Sequence, residues 1–223
     1  MKLFLTSVRT CVENIPEFKE LINNETRLVI LPISYHKDYI NSADDVINHF
    51  DRNPFNRESM FYETVRPFAD AGLDYNNIVV LNPWSDSLAY MEHRITHKNT
   101  ILYVPGGYPE IITEHVKNFK LLKAIKKAKV IVGESAGSMV VSKYFFVYKD
   151  NDYDDYKSYK GLNLIKSKMT MLPHFNFTNK DIAYACERFS LKHPLTNIYC
   201  VEDGGYIIIN NRRIVRAYKT YKM

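Results

Sequence analysis

Five short runs of consecutive apolar residues, each separated from the next by a helical pattern, constrain the fold of this chain more than any other feature. They span Leu3 to Val8, Arg27 to Ile33, Asn77 to Leu81, Thr100 to Val104 and Lys129 to Val132. The apolar residues are successive rather than alternating, as they are in strands buried on both faces. Turn signals close the middle runs: Pro32 and Ser34, Asn82-Pro83, and Pro105-Gly106-Gly107. Helical patterns fall near 13–23, 57–71, 85–94 and 109–127. Strands and helices in this alternation predict an α/β three-layer sandwich, with a mostly parallel central sheet and helices on both faces.

After Tyr144 the texture changes. Asp150 to Tyr159 is polar and tyrosine-rich and reads as a loop or hairpin. A strand near Met169 to Leu172 and a helix near Asn179 to Leu191 follow. The chain closes with strands at Ile198 to Val201, Tyr206 to Ile209 and Ile214 to Ala217, and the Asn210-Asn211 pair suits a hairpin turn. These predict a small antiparallel C-terminal appendix. No repeat, linker or composition break interrupts residues 1–223, which read as one domain.

Composition narrows the partners. Hydrophobic residues are 46% and charged residues 25%, ordinary globular values, and the net charge of +5 is modest. Lys117, Lys120, Lys123, Lys126, Lys127 and Lys129 alternate with Val116, Phe119, Leu122 and Ile125, which predicts a solvated helix face rather than a nucleic-acid footprint. No run approaches the roughly 18 apolar residues of a membrane span. Arg9 and Glu13 come too early for a signal-peptide apolar region, so a cytoplasmic location is expected. The three cysteines, Cys11, Cys186 and Cys200, form no C-x-x-C and argue against a disulfide framework or a zinc cage. His93 and His97 lack the glutamate of H-E-x-x-H. The aspartates at 150, 152, 154 and 155 lack the glycine and closing glutamate of a calcium loop. Neither G-x-G-x-x-G nor G-x-x-x-x-G-K-[ST] occurs, so no nucleotide, other cofactor or metal is expected.

Chemistry concentrates at Gly133-Glu134-Ser135-Ala136-Gly137, a G-x-S-x-G between a buried strand and a helical stretch. A sharp strand-to-helix turn there projects the serine hydroxyl from the sheet edge and aims the next N–H at the same point. Of the seven histidines, His174 stands apart, because it follows Met171-Leu172-Pro173 at the end of a strand. An orienting carboxylate for that base falls on Asp203 or Glu202, after the strand Ile198 to Val201. The order Ser, His, acid differs from the Ser, acid, His of α/β-hydrolases. Paired glycines after the fourth strand let backbone N–H groups approach a ligand, making the N–H groups of Gly107 and Ala136 the expected oxyanion donors.

Taken together, Pro105-Gly106-Gly107, Gly133-Glu134-Ser135-Ala136-Gly137, Leu172-Pro173-His174-Phe175 and Glu202-Asp203-Gly204-Gly205-Tyr206-Ile207 resemble the peptidase E (aspartyl dipeptidase) and cyanophycinase family of serine peptidases. That family looks like a class I glutamine amidotransferase-type α/β fold with serine in place of cysteine. The resemblance implies Ser135 as nucleophile, His174 as base and Asp203 as acid, with Glu202 the alternative. It implies an arginine downstream of the histidine for the substrate's aspartate, a position that Arg188 matches, with Lys180 as rival. Glu134 departs from the aromatic residue of peptidase E. It is expected either to meet a substrate amino group or to serve as a structural carboxylate. The function implied is hydrolysis of small peptides, possessing as alternatives an esterase or amidase on a non-peptide acyl group and a non-catalytic binding protein. Monomer and homodimer both stand open.

Overall fold

The apolar runs form the parallel centre of a mixed sheet. The computed structural model describes residues 1–36, 38–53, 55–56, 59–165 and 168–223. The strands β1 (Lys2–Thr6), β2 (Arg27–Ile30), β3 (Ile78–Val80), β4 (Thr100–Val104) and β5 (Val130–Glu134) lie in the order β1-β5-β4-β2-β3, all parallel. Side chains alternate across it. Phe4, Leu28, Ile30, Tyr103 and Val132 pack against α1 (Pro16–Lys19), α2 (Ala43–His49) and α3 (Phe61–Asp70). Leu3, Leu5, Val29, Leu102, Val104 and Ile131 pack against α4 (Leu88–Thr96), α5 (Pro109–Asn118), α6 (Leu122–Lys127) and the one-turn α7 (Ala136–Met139). Both faces are therefore covered, which explains why these strands read as unbroken apolar runs.

The C-terminal third completes the sheet. A separate hairpin, β6 (Tyr144–Val147) with β7 (Lys157–Lys160), carries the polar tyrosine-rich segment at its tip. β8 (Met169–Leu172) precedes α8 (Lys180–Lys192), and β9 (Asn197–Asn210) pairs with β10 (Arg213–Lys222) on either side of residues 202–205. Asn211 and Arg212, with φ of 46° and 70°, make the two-residue turn between them. The second half of β9 runs antiparallel to β1, with Thr6 opposite Tyr206, while its first half runs parallel to β8, with Leu172 opposite Cys200. β1 and β8 thus meet head to head along one edge of β9. The C-terminal ends of β1, β4 and β5 face the end of β8 across that junction.

Several expected boundaries move. Ile198 to Val201 and Tyr206 to Ile209 belong to one strand with a bulge in it: Tyr218 of β10 faces Tyr206 and Thr220 faces Val201, so residues 202–205 bow out between the two paired stretches. The helix expected over 109–127 is two helices. Lys120 adopts φ 58°, Lys120 N–H bonds the Lys117 carbonyl, and Leu121 N–H bonds the Val116 carbonyl, a Schellman ending with lysine in the position glycine usually takes. The stretch 13–23 becomes a 3₁₀ turn (Arg9–Asn14) and the short α1, which opens on Pro16. Residues 57 and 58, the start of the expected helix 57–71, lie outside the described residues. α2 was not expected, although its cap is written in Ser42-Ala43-Asp44-Asp45: the Ser42 hydroxyl accepts from Asp45 N–H.

Candidate active site

The site is built where β5 ends. Ser135 sits between β5 and α7 with φ 46° and ψ −111°, a conformation costing about 1–3 kcal/mol for a residue with a side chain. Surrounding bonds hold it there, with its N–H donating to the Thr6 carbonyl at 2.9 Å. The tight turn needs Gly137, since a Cβ there would lie 2.1 Å from the Val104 carbonyl oxygen.

His174 Nε2 lies 2.9 Å from Ser135 Oγ, and His174 Nδ1 lies 2.7 Å from Asp203 Oδ1. His174 reaches the serine from β8, which runs opposite to β1 rather than alongside the parallel strands. His174 follows the end of a strand, β8, which approaches the junction from the far side. Its backbone is left-handed, φ 56°, a region that histidine visits more readily than most residues. Asp203 comes from the segment of β9 that spans the gap between β1 and β8.

Beside Ser135 lies the Gly106-Gly107 peptide. Gly107 has φ 138°, and a Cβ on it would sit 2.3 Å from the Ser34 carbonyl oxygen. The Ser34 hydroxyl donates to the Gly106 carbonyl at 2.6 Å, and Tyr108 N–H donates to the Ser34 carbonyl at 2.8 Å. A trans peptide points its C=O and N–H in opposite directions, so gripping the Gly106 oxygen sets the direction of the Gly107 N–H. Among the described residues, neither the Gly107 nor the Ala136 N–H donates to another protein group. A cavity of about 240 Å³ opens here, with Gly107, Ser135, Met139, Phe146, Tyr148, Tyr153, Pro173 and His174 in its walls.

Residues 16–216 match the family described as Peptidase family S51. The chain belongs to peptidase family S51. It is a serine-type peptidase, a hydrolase, and the resemblance drawn from its motifs holds. Among solved structures, this S51 peptidase is similar to a candidate peptidase E protein from Listeria monocytogenes EGD-e at 21% identity, over 100% of this chain and 98% of that one, with a TM-score of 0.62. It is also similar to a peptidase from an acI-B1 Actinobacterium at 17% identity, over 100% of this chain and 93% of that one, with a TM-score of 0.62. Both likenesses show the fold. No curated protein matches the sequence.

The other residues singled out from the S51 sequence separate. Glu202 turns away from His174 and accepts from the Tyr221 hydroxyl at 3.0 Å. Glu134 is taken up by the protein itself, accepting from the Tyr103 hydroxyl, from Gly106 N–H at 3.3 Å and from Arg9 N–H at 3.3 Å. Burial works to lower the Arg9 guanidinium, but the Glu134 charge, with the Tyr103 hydroxyl, holds it above its ordinary value. Arg188 is exposed on α8, its guanidinium 5.7 Å from the Tyr184 ring centre, and Lys180 is exposed at the start of that helix. Neither lines the cavity with Ser135.

Three further features shape the site. Ser34 clamps the Gly106-Gly107 peptide. The β6–β7 hairpin, whose tip reads in the sequence as a polar loop or hairpin, brings Tyr148, Asp150, Asp152 and Tyr153 into the cavity wall. Burial first, and then the charges of Asp150 and Asp203, push Tyr148 up to about 12, so its hydroxyl keeps its proton at neutral pH. The third is Ser7, fully buried at the end of β1. Its hydroxyl donates to Asp203 Oδ1 at 2.9 Å and accepts from His174 N–H at 2.8 Å. The only signal for it was a polar Thr6-Ser7 pair closing an apolar run.

Proposed function

We propose that this peptidase hydrolyses small peptides by acyl transfer through Ser135, with His174 as general base and acid and Asp203 as the orienting carboxylate. One observation carries the proposal: the continuous chain from Ser135 Oγ to His174 at 2.9 Å and from His174 to Asp203 at 2.7 Å. Asp203 accepts the Nδ1 proton, which leaves the Nε2 lone pair facing the serine. As Ser135 Oγ attacks the peptide carbonyl, its proton passes to Nε2 and the carbonyl oxygen gains negative charge. The N–H groups of Gly107 and Ala136 receive that charge. His174 then gives its proton to the departing amine as the C–N bond breaks, leaving an acyl-serine. Water, deprotonated by the same imidazole, releases the acid and restores Ser135. The cavity's small volume, about 240 Å³, favours short peptides over folded chains.

Labelling with a fluorophosphonate, followed by peptide mass mapping, tests the nucleophile. Wild type is expected to carry the label on Ser135, and Ser135→Ala is expected to remain folded, unlabelled and slower by on the order of 10⁶ in kcat. A label on another serine, or turnover surviving in Ser135→Ala, would sink the proposal. Dipeptide hydrolysis exceeding that of a matched p-nitrophenyl ester, relative to each uncatalysed rate, is the outcome expected for a peptidase rather than an esterase.

A further inference from the structure

We infer that Ser7 is a positioning residue for the reaction, acting through Asp203 and His174 at once. The inference rests on the triad proposed above. Both partners are open to water: the His174 side chain is 43% exposed and that of Asp203 65%. Water competes for the hydrogen bonds of such groups, and a carboxylate on an exposed strand segment has rotamers to choose from. Ser7, by contrast, is 0% exposed. It follows directly on β1, whose Thr6 pairs with Glu134 next to the nucleophile, and its own N–H donates to the Gly205 carbonyl at 3.2 Å. The hydroxyl is therefore anchored to the same rigid strands that carry Ser135.

The proton assignment at Ser7 follows from its partners. His174 N–H is a backbone group that only donates, so it takes a lone pair of Ser7 Oγ at 2.8 Å. The Ser7 proton is left for Asp203 Oδ1 at 2.9 Å, the same oxygen that meets His174 Nδ1 at 2.7 Å. One hydroxyl thus fixes which oxygen of Asp203 faces the imidazole and holds the backbone of His174 in its left-handed conformation. Ser7 sits at the head-to-head junction of β1 and β8, and it joins the last residues of both strands to the segment of β9 that bridges them. Remove the hydroxyl, and Asp203 turns toward water while the His174 N–H loses its acceptor. Ser135, the oxyanion donors and the cavity walls other than His174 are untouched, so substrate binding is retained and the chemical step slows.

A double-mutant cycle tests this with the full chain and a dipeptide substrate found by screening. Ser7→Ala is expected to lower kcat roughly 10- to 100-fold, the value of a hydrogen bond to a charged group, with KM within about threefold of wild type. Ser7→Thr, which keeps the hydroxyl, is expected to recover most of that loss. In an Asp203→Asn background, Ser7→Ala is expected to add less than about threefold, because the carboxylate it orients is already gone and only its bond to the His174 N–H is left to lose. Full multiplication of the two losses, or a Ser7→Ala enzyme with wild-type kcat, overturns the role of Ser7. If Asp203→Asn alone retains wild-type turnover, the proposed triad fails instead, so the two failures are distinguishable. Should Ser7→Ala not fold, Ser7→Cys fills the same space with a weak donor and carries the same comparison, with the same outcomes.

Discussion

Asp203 and Glu202 are chain neighbours with opposite surroundings. Successive side chains of an extended segment leave it in opposite directions, so only one of the two can face His174. Asp203 lies 2.7 Å from the imidazole, while Glu202 bonds Tyr221. Asp203→Asn is therefore expected to lower kcat by on the order of 10⁴, and Glu202→Gln to leave it nearly unchanged, in steady-state assays of the two variants. A slow Glu202→Gln beside a normal Asp203→Asn would transfer the role. Ser34 grips the Gly106-Gly107 peptide beside Ser135. Without its hydroxyl the Gly106 oxygen is released and the Gly107 N–H loses its fixed direction. Ser34→Ala is expected to reduce kcat roughly 10- to 100-fold with little change in KM, since the interaction it aims forms in the transition state. An unchanged kcat would show that the peptide is held without Ser34. Neither Ser7 nor Ser34 belongs to a recognisable motif. Their partners, Asp203 and Gly106, are distant along the chain, so nothing local marks them.

Among the elements, the short apolar strands were legible because burial on both faces leaves a run that no turn or amphipathic helix produces. β4 has the bounds its residues predict, Thr100–Val104, and so does β8, Met169–Leu172. The short helices were not. α2 rests on its Ser42 cap and on few apolar residues, among them the buried Val46, too little for a periodicity argument. Its last residue, His49, packs edge-on against Tyr35 and Phe50, with Nε2 buried and without a partner among the described residues. Burial holds this imidazole below its ordinary value. The unfolded chain therefore binds a proton that the folded one resists. The stabilisation is present above the unfolded value of about 6.5 and is lost as pH falls from there through the lower folded value. Thermal unfolding of wild type is expected to shift down between pH 7.5 and pH 5.5, and to shift less in His49→Phe. Equal shifts in the two proteins would assign the pH response elsewhere.

Over the whole molecule, the candidate site forms where the sheet changes direction. Parallel strands bring the ends of β1, β4 and β5 to one edge, as in other open α/β sheets where ligands bind beyond the strand ends. The reversal through β9 then sends β8 toward that edge from the opposite side. The cavity so formed holds no lysine or arginine among its described lining residues, and Asp150 and Asp152 stand in its wall. Dipeptides with aspartate on the acyl side thus meet no cationic partner there. They are expected to show a lower kcat/KM than the matching alanyl dipeptides, and the reverse ranking in a competition assay would restore a role for Arg188 or another cation. What could be read along the chain was whatever depends on near neighbours: the strand–turn–helix around Ser135, the Gly-Gly turn, a histidine closing a strand and a carboxylate pair after another. These patterns also carried the resemblance that the family match bears out. The rest depends on contacts between segments far apart in sequence. That Asp203 rather than Glu202 faces His174, and that Ser7 meets both, follows from how β9 runs beside β1 and β8; the seclusion of Glu134, the outward face of Arg188, the hairpin in the cavity wall and the grip of Ser34 follow from other contacts between distant segments. Strand pairing is set by long-range hydrogen bonds and packing, and no local propensity encodes which strand end will meet which.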